Sequence, residues 1–142
     1  MKKIFLFLSF SLMGIVIFAQ NTEAVAKNPA QEATAKLKET YRLDAAQAAK
    51  METIQVQKQK NLDETEKYKN TNEALYVRKR QAISTGTNAS IERMLNKEQM
   101  KTFRMQQSAI RLARAKKTEE FRTSKASELQ KQIILLELEA QF

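Results

Sequence analysis

The five-residue stretch that decides the fold occurs twice, as Leu-Asp-Ala-Ala-Gln at residues 43–47 and as Leu-Asn-Lys-Glu-Gln at residues 95–99. Asp44 and Asn96 are short polar residues, and such side chains accept a hydrogen bond from a free N–H in the first turn of a helix. Each stretch therefore predicts a helix start, and the two starts are 52 residues apart.

The other fixed positions of the two stretches strengthen this prediction. Gln47 and Gln99 fall at the third helical position, from which a glutamine side chain reaches back to the N–H of the cap. Leu43 and Leu95 precede the caps, where an apolar residue packs against the first turn as a hydrophobic staple. We therefore expect one device, a capping box with a staple, to begin two long helices.

The composition predicts an all-α fold. The 142 residues include two glycines and one proline, which is too few for the many tight turns of a β-sandwich or barrel. Alanine, glutamine, glutamate, lysine, arginine and leucine are abundant, and all of them favour helix. Large apolar residues are sparse, so we expect an elongated, hairpin-like domain of three to four helices whose apolar seam is completed by a second subunit.

Start and stop signals divide the chain into helices. Asn28 and Pro29 predict the cap and the first position of helix one, and Gly86 predicts the left-handed residue that ends helix two. A bend around residues 70–72 is the alternative to a continuous helix two, because asparagine and threonine are poor helix formers. The apolar end at residues 133–142 is expected to dock on a partner. The predicted helices span residues 29–41, 44–84, 88–94 and 96–140.

The N-terminal residues predict export. Lys2 and Lys3 precede an apolar run that ends at Ala19, which is the pattern of a cleavable signal peptide over residues 1–19. The run is shorter than the ~20 residues of a membrane-spanning helix, so we expect no integral membrane span after cleavage. Residues 20–28 are expected to be a disordered leader and residues 29–142 a single domain in the Gram-negative periplasm.

The residue types exclude several chemistries. The chain contains no histidine and no cysteine, so it has neither a Ser-His or Cys-His nucleophile nor a histidine-based or cysteine-based metal site. No glycine-rich phosphate loop is present. We therefore expect neither an enzyme nor a bound cofactor or metal.

The two capped stretches resemble the Leu-Thr-x-x-Gln repeats of the Spy/CpxP-like periplasmic family, with Asp44 and Asn96 in place of threonine. Residues 100–103 (Met-Lys-Thr-Phe) are similar to the usual continuation of that motif, and the resemblance covers roughly residues 40–110. Relatives form antiparallel dimers shaped like a shallow cradle with a basic, partly apolar concave side. The resemblance thus implies an ATP-independent holding chaperone or envelope-stress protein. The residues carried over are structural motif positions: Leu43, Asp44, Gln47, Leu95, Asn96 and Gln99.

Basic and apolar residues are mixed along the last predicted helix. Methionine and aromatic side chains adapt to many partners, and positive charge speeds the capture of negative ones. We expect this surface to bind unfolded or amphipathic polypeptides, although a core stripe beside a solvated charged face explains the same pattern. The candidate client-binding residues are Met100, Phe103, Arg104, Ile110, Arg111, Arg114, Phe121 and Arg122.

Three other classes of function fit parts of the sequence. A non-catalytic adaptor or sensor-kinase regulator would use the apolar seam for one specific envelope partner. A trimeric chaperone resembling Skp fits the charge, but the strands of its head domain are missing from the sequence. Nucleic-acid binding would suit the formal net charge of +9, but export and the lack of an aromatic platform argue against it. The expected partners are therefore unfolded or amphipathic proteins and a second copy of the chain, with no nucleic acid.

Overall fold

The fold of residues 28–140, which are those described by the computed structural model, is all-α as predicted. Within this range there are no strands, and a single 3-10 turn follows the fourth helix. The predicted signal peptide and nearly all of the predicted leader lie outside the described residues. The elements are α1 (Pro29–Tyr41), α2 (Ala45–Glu66), α3 (Glu73–Met94), α4 (Lys97–Glu120), the 3-10 turn (Phe121–Thr123) and α5 (Glu128–Glu139).

Helix α1 has the predicted bounds. The Asn28 side chain accepts a hydrogen bond from the backbone N–H of Ala30, and Pro29 occupies the first position. The helix ends at Arg42, whose φ of 52° and ψ of 51° are left-handed and whose N–H donates to the carbonyl of Glu39. This tight reversal lets α2 start after only three residues and pack against α1.

The prediction of one continuous helix over residues 44–84 is wrong, and the alternative bend is confirmed. Helix α2 ends at Glu66, and a turn over residues 67–72 leads into α3. The Asn72 side chain caps α3 by accepting from the N–H of Leu75 at 3.0 Å. Thr65 is buried, and its hydroxyl donates to the Leu62 carbonyl. The poor helix formers of this segment therefore form a turn and a cap.

The predicted helix end at Gly86 and the separate helix over residues 88–94 are also wrong. Helix α3 runs through Gly86 to Met94, and Gly86 does not have a positive φ. A glycine inside a helix costs only about 1 kcal/mol. Packing of the half-buried Ile83 and the buried Ile91 on either side outweighs that cost.

The predicted helix over residues 96–140 is interrupted after Glu120. Phe121 is buried, and residues 121–127 redirect the chain before α5 begins. Ser127 and Gln130 form a third capping box, which starts α5 in the same way as the two predicted boxes start α2 and α4. Helix α5 then packs on α3 and α4 of its own chain, and Leu135 and Leu136 are buried.

Two separate apolar clusters hold the helices. The first joins α1, α2, α3 and α4, and the second joins α3 and α5. Half-buried residues extend both clusters, and these include Met100 and Leu95 in the first and Ile133 in the second. The buried members are Tyr41, Leu43, Met51, Ile91 and Phe103 in the first cluster and Tyr76, Val77 and Leu136 in the second.

Candidate functional site

The two capped stretches meet in space through their glutamines. The side-chain amide of Gln47 donates to Oε1 of Gln99 at 2.8 Å, and the amide of Gln99 donates back to Oε1 of Gln47 at 2.8 Å. Both capping boxes are complete: Asp44 accepts from the N–H of Gln47, and Asn96 accepts from the N–H of Gln99. The structure therefore brings the predicted motif residues together at one junction, which we call the amide junction.

The remaining hydrogen-bonding groups of the amide junction are also satisfied. The second N–H of Gln47 donates to the Met94 carbonyl at 3.0 Å, and the second N–H of Gln99 donates to the Arg42 carbonyl at 3.4 Å. Each Oε1 also accepts from the backbone N–H of its own cap, Asp44 or Asn96. Each glutamine is thus hydrogen-bonded to its own cap, to the other glutamine and to the end of another helix. These bonds hold the starts of α2 and α4 together.

Tyr41 reinforces this end of the molecule. Its ring packs edge-on against Phe103 with ring centroids 6.2 Å apart, and its hydroxyl donates to the side-chain oxygen of Gln106. Burial raises the pKa of Tyr41 to about 12, because the charged phenolate would lose its hydration. Helix α4 is therefore attached to α1 by both aromatic packing and a hydrogen bond.

A cavity of about 580 Å³, which we call the central cavity, opens among the helices. All five α-helices contribute to its walls, and Leu136 belongs both to these walls and to the second apolar cluster. The volume lies within the range of small-molecule sites in proteins, about 300–1,000 Å³. Its lining residues include Ala33, Lys58, Leu62, Arg80, Ile83, Ile110, Arg111, Arg114, Leu136 and Glu139.

The charged side chains that line the central cavity are predominantly basic. Of the lining residues between positions 28 and 140, four are basic, and Glu139 is the only acidic one. That carboxylate is already engaged: it forms an ion pair with Arg114 and accepts from the Ser84 hydroxyl at 3.5 Å. The ion pair also fixes the end of α5 against α4, so the remaining basic side chains face the cavity without a compensating lining carboxylate.

Lys58 differs from the other basic lining residues because it is partly buried and has no paired carboxylate in the described part of the molecule. It is half-buried, and burial lowers its pKa from 10.5, with a further lowering from the charge of Arg80. Arg80 itself pairs with Glu66 at 3.4 Å. Among residues 28–140, no side chain forms an ion pair or hydrogen bond with Lys58. Lys58 is therefore a partly desolvated cation that has no counterion within the described part of the chain.

The structure separates the eight predicted client-binding residues. Ile110, Arg111 and Arg114 line the central cavity. Phe103 and Phe121 are 5% and 8% exposed, so they are core residues and not surface contacts.

The other three predicted client-binding residues occupy different environments. Met100 packs half-buried against the first apolar cluster. Arg104 is exposed. Arg122 is also exposed and pairs with Glu119 at 2.8 Å.

Sequence reasoning missed the cavity residues that come from other helices. Lys58 lies on α2, Arg80 on α3 and Glu139 on α5, and no local pattern connects these three positions. The pairing of Gln47 with Gln99 did have a sequence signal, because the same five-residue pattern occurs twice. The repeat alone does not predict that the two glutamines contact each other.

The outward face of α4 carries exposed apolar side chains. Met105 is 65% exposed and Leu112 is 66% exposed. The two residues are seven positions apart and so lie on one face of the helix. Arg104 and Arg111, each adjacent in sequence to one of them, are also exposed. This surface, which we call the α4 face, combines apolar side chains and positive charge, but its apolar residues, Met105 and Leu112, are not among the predicted client-binding residues.

Within residues 28–140, no group of three or more acidic residues is placed to hold a metal ion. The same part of the chain contains no helix that combines the length and the apolar character needed to cross a bilayer. Comparison of the chain with protein-family models, curated proteins and solved structures finds no match.

Proposed function

We propose that this chain is a Spy/CpxP-like periplasmic protein that holds unfolded or amphipathic polypeptides without ATP. The observation that carries the proposal is the α4 face, where Met105 and Leu112 are exposed on one side of a helix beside Arg104 and Arg111. Exposed apolar groups of this kind contact hydrophobic segments of a client, and methionine adapts to segments of different shape. The neighbouring arginines attract acidic segments over longer distances.

The amide junction supports the same proposal by explaining how the α4 face is held. The Gln47–Gln99 pair and the Tyr41–Phe103 contact fix the start of α4 to α1 and α2. The ion pair between Arg114 and Glu139 fixes its later part to α5. Because α4 is held rigidly, its outward side chains are available to clients. No conformational entropy is then lost in ordering the helix when a client binds.

The test is an aggregation assay in which a chemically denatured client is diluted into a solution of the mature chain. Light scattering measures the aggregation of the client. We expect suppression of aggregation at a several-fold molar excess and its loss in the double variant Met105→Glu/Leu112→Glu. Both positions are exposed, so the substitutions leave the core intact. The matched control is Val56→Glu, because Val56 is also an exposed apolar residue, at 48%, but lies on α2. Full suppression by the double variant would refute the role of the α4 face.

A second candidate is an adaptor or regulator that binds one envelope partner. The seven-residue spacing of Met105 and Leu112 favours it, because that spacing is typical of a helix packing against another helix. A second copy of this chain is one such helix, and we include a homodimer in the proposal. A pull-down from envelope extract separates the two functions: one stoichiometric band supports the adaptor, and many substoichiometric bands support the chaperone. Light scattering of the pure protein gives its oligomeric state.

A further inference from the structure

The central cavity has a volume suited to a small ligand and walls of two kinds. Apolar side chains from all five helices line it, and these include Ala33 from α1, Leu62 from α2, Ile83 from α3, Ile110 from α4 and Leu136 from α5. Ligand sites of this size are typically lined by apolar groups with a few polar groups that orient the ligand. The apolar walls therefore suit a hydrocarbon chain.

The basic side of the same cavity suits one anionic group. Arg114 is neutralised by Glu139, and Arg80 shares Glu66, which is half exposed to solvent. Lys58 has no partner among the described residues, although it is half-buried next to Arg80. A buried or half-buried charge without a partner is unfavourable, and a bound anion removes that penalty. Arg111 also lacks a carboxylate partner among the described residues, but it is exposed to solvent and donates to the Ser108 hydroxyl. Lys58 is therefore the half-buried lining cation that is left unpaired in this part of the chain, and the partly paired Arg80 lies beside it.

We propose that the central cavity binds one amphiphilic monocarboxylate, with its head group against Lys58 and Arg80 and its alkyl chain among Leu62, Ile83 and Ile110. A neutral alkyl ligand would leave Lys58 uncompensated, and a cationic one would add repulsion from Lys58, Arg80 and Arg111. A carboxylate satisfies the ammonium group by a charge-assisted hydrogen bond. The site shares Arg111 with the α4 face, but the residues assigned here to the ligand, Lys58, Arg80, Leu62, Ile83 and Ile110, lie outside that face, and the proposal does not depend on the holding function.

The ligand comparison uses the unmodified protein and isothermal titration calorimetry. The probes are dodecanoate and dodecyltrimethylammonium, each kept below the concentration at which it forms micelles. They share an alkyl chain of the same length and differ in the sign of the head-group charge. We expect dodecanoate to bind with a stoichiometry of one and the cationic probe to bind at least about tenfold more weakly. Equal affinity for the two probes would overturn the proposal.

The protein comparison uses variants of Lys58. Lys58→Met keeps most of the length and apolar stem of the side chain but removes the charge, and we expect it to weaken dodecanoate binding at least about tenfold. Lys58→Arg keeps the charge and is expected to retain binding within about threefold of the unmodified protein. The matched control is Lys60→Met, because Lys60 is an exposed lysine on the same helix. Unchanged affinity in a folded Lys58→Met protein would overturn the proposal.

Discussion

Gln47 and Gln99 each have two structural roles. Each one completes the capping box of its own helix, and each one bonds to the other across the molecule. Gln99 is 9% exposed, so its hydrogen bonds are largely shielded from water. Loss of one partner therefore leaves polar groups of the other without their bonds, which is more harmful than the loss of an exposed cap.

The first prediction concerns the coupling of these two glutamines. We expect Gln47→Ala and Gln99→Ala each to lower the free energy of unfolding by about 1–2 kcal/mol, because each removes bonds from its partner. The double variant is expected to be less destabilised than the sum by about 1 kcal/mol or more, since the second change removes bonds already lost. Urea unfolding followed by circular dichroism measures all three values.

The control for this coupling is Gln130→Ala. Gln130 completes the capping box of α5 by accepting from the N–H of Ser127, but it is exposed. The losses in free energy of unfolding caused by Gln130→Ala and by Gln47→Ala are expected to be additive within about 0.5 kcal/mol. Strict additivity of Gln47→Ala and Gln99→Ala would contradict an energetic role for the amide pair.

A second prediction at this scale concerns alkaline pH. Burial raises the pKa of Tyr41 from 10.0 to about 12, so the unfolded chain releases this proton at lower pH than the folded chain. The resulting contribution to stability is complete below pH 10 and is lost as the pH rises from 10 towards 12. We expect Tyr41→Phe to be less stable than the unmodified protein at pH 9, by about 1 kcal/mol, because the bond to Gln106 is lost.

That difference is expected to shrink as the pH is raised to 11, because phenylalanine has no proton to lose. Urea unfolding at both pH values provides the comparison. Tyr76, whose pKa is also raised by burial, is present in both proteins and does not affect the difference. A stability difference that stays constant between pH 9 and pH 11 would be incompatible with the shifted Tyr41.

At the scale of the helix, the continuity of α3 through Gly86 is the feature that contradicts the local pattern. Gly86 is exposed, and a Cβ placed on it would have no atom within 4 Å. Neither of the usual structural reasons for a glycine applies here: no other described part of the chain approaches closely, and the residue does not have a positive φ. The glycine therefore weakens the helix without a structural benefit among the described residues.

We accordingly expect Gly86→Ala to stabilise the protein by about 0.5–1 kcal/mol, because alanine restricts the unfolded chain and favours helix. The reverse change at a nearby exposed site, Ala89→Gly, is expected to destabilise by a similar amount. The midpoint of thermal unfolding is the measurement. A lower midpoint for Gly86→Ala would show that this position needs glycine for a reason that helix propensity does not include.

The starts of α1, α2 and α4 were predicted from the sequence, whereas the start of α5 and several helix ends were not, and the reason is physical. A capping box is a local set of hydrogen bonds, so Asn28, Asp44 and Asn96 were recognised as caps from their neighbours alone. The third box, at Ser127 and Gln130, carries the same signal. The end of α4 coincides with the burial of Phe121, and the local sequence pattern does not show which side chains become buried. The central cavity depends on contacts between residues that are distant in the sequence, because its walls come from five helices.

At the scale of the whole molecule, the described chain has two small apolar cores instead of one. The second core depends on α5, whose Leu136 packs with Tyr76 and Val77 of α3. Helix α5 also supplies one wall of the central cavity and the carboxylate that neutralises Arg114. Displacement of α5 would therefore open the cavity and leave Arg114 unpaired without disturbing the first core.

We expect Leu136→Ala to lower the stability of this region by about 2–5 kcal/mol. Hydrogen exchange is expected to accelerate in α5 and in the part of α3 near Tyr76 and Val77, whereas α1 and the start of α2 keep their protection. The control is Leu138→Ala on the same helix, because Leu138 is half-buried and lies outside the second core. A uniform loss of protection in all helices would mean that the two cores unfold as one unit.

The reciprocal amide pair also constrains how this protein changes over evolutionary time. A substitution at position 47 alone removes bonds from position 99, and the reverse holds equally. Selection therefore acts on the two codons jointly, and a lineage that alters one is expected to fix a compensating change at the other. Across a set of diverged descendants, positions 47 and 99 should covary more strongly with each other than either does with its immediate chain neighbours.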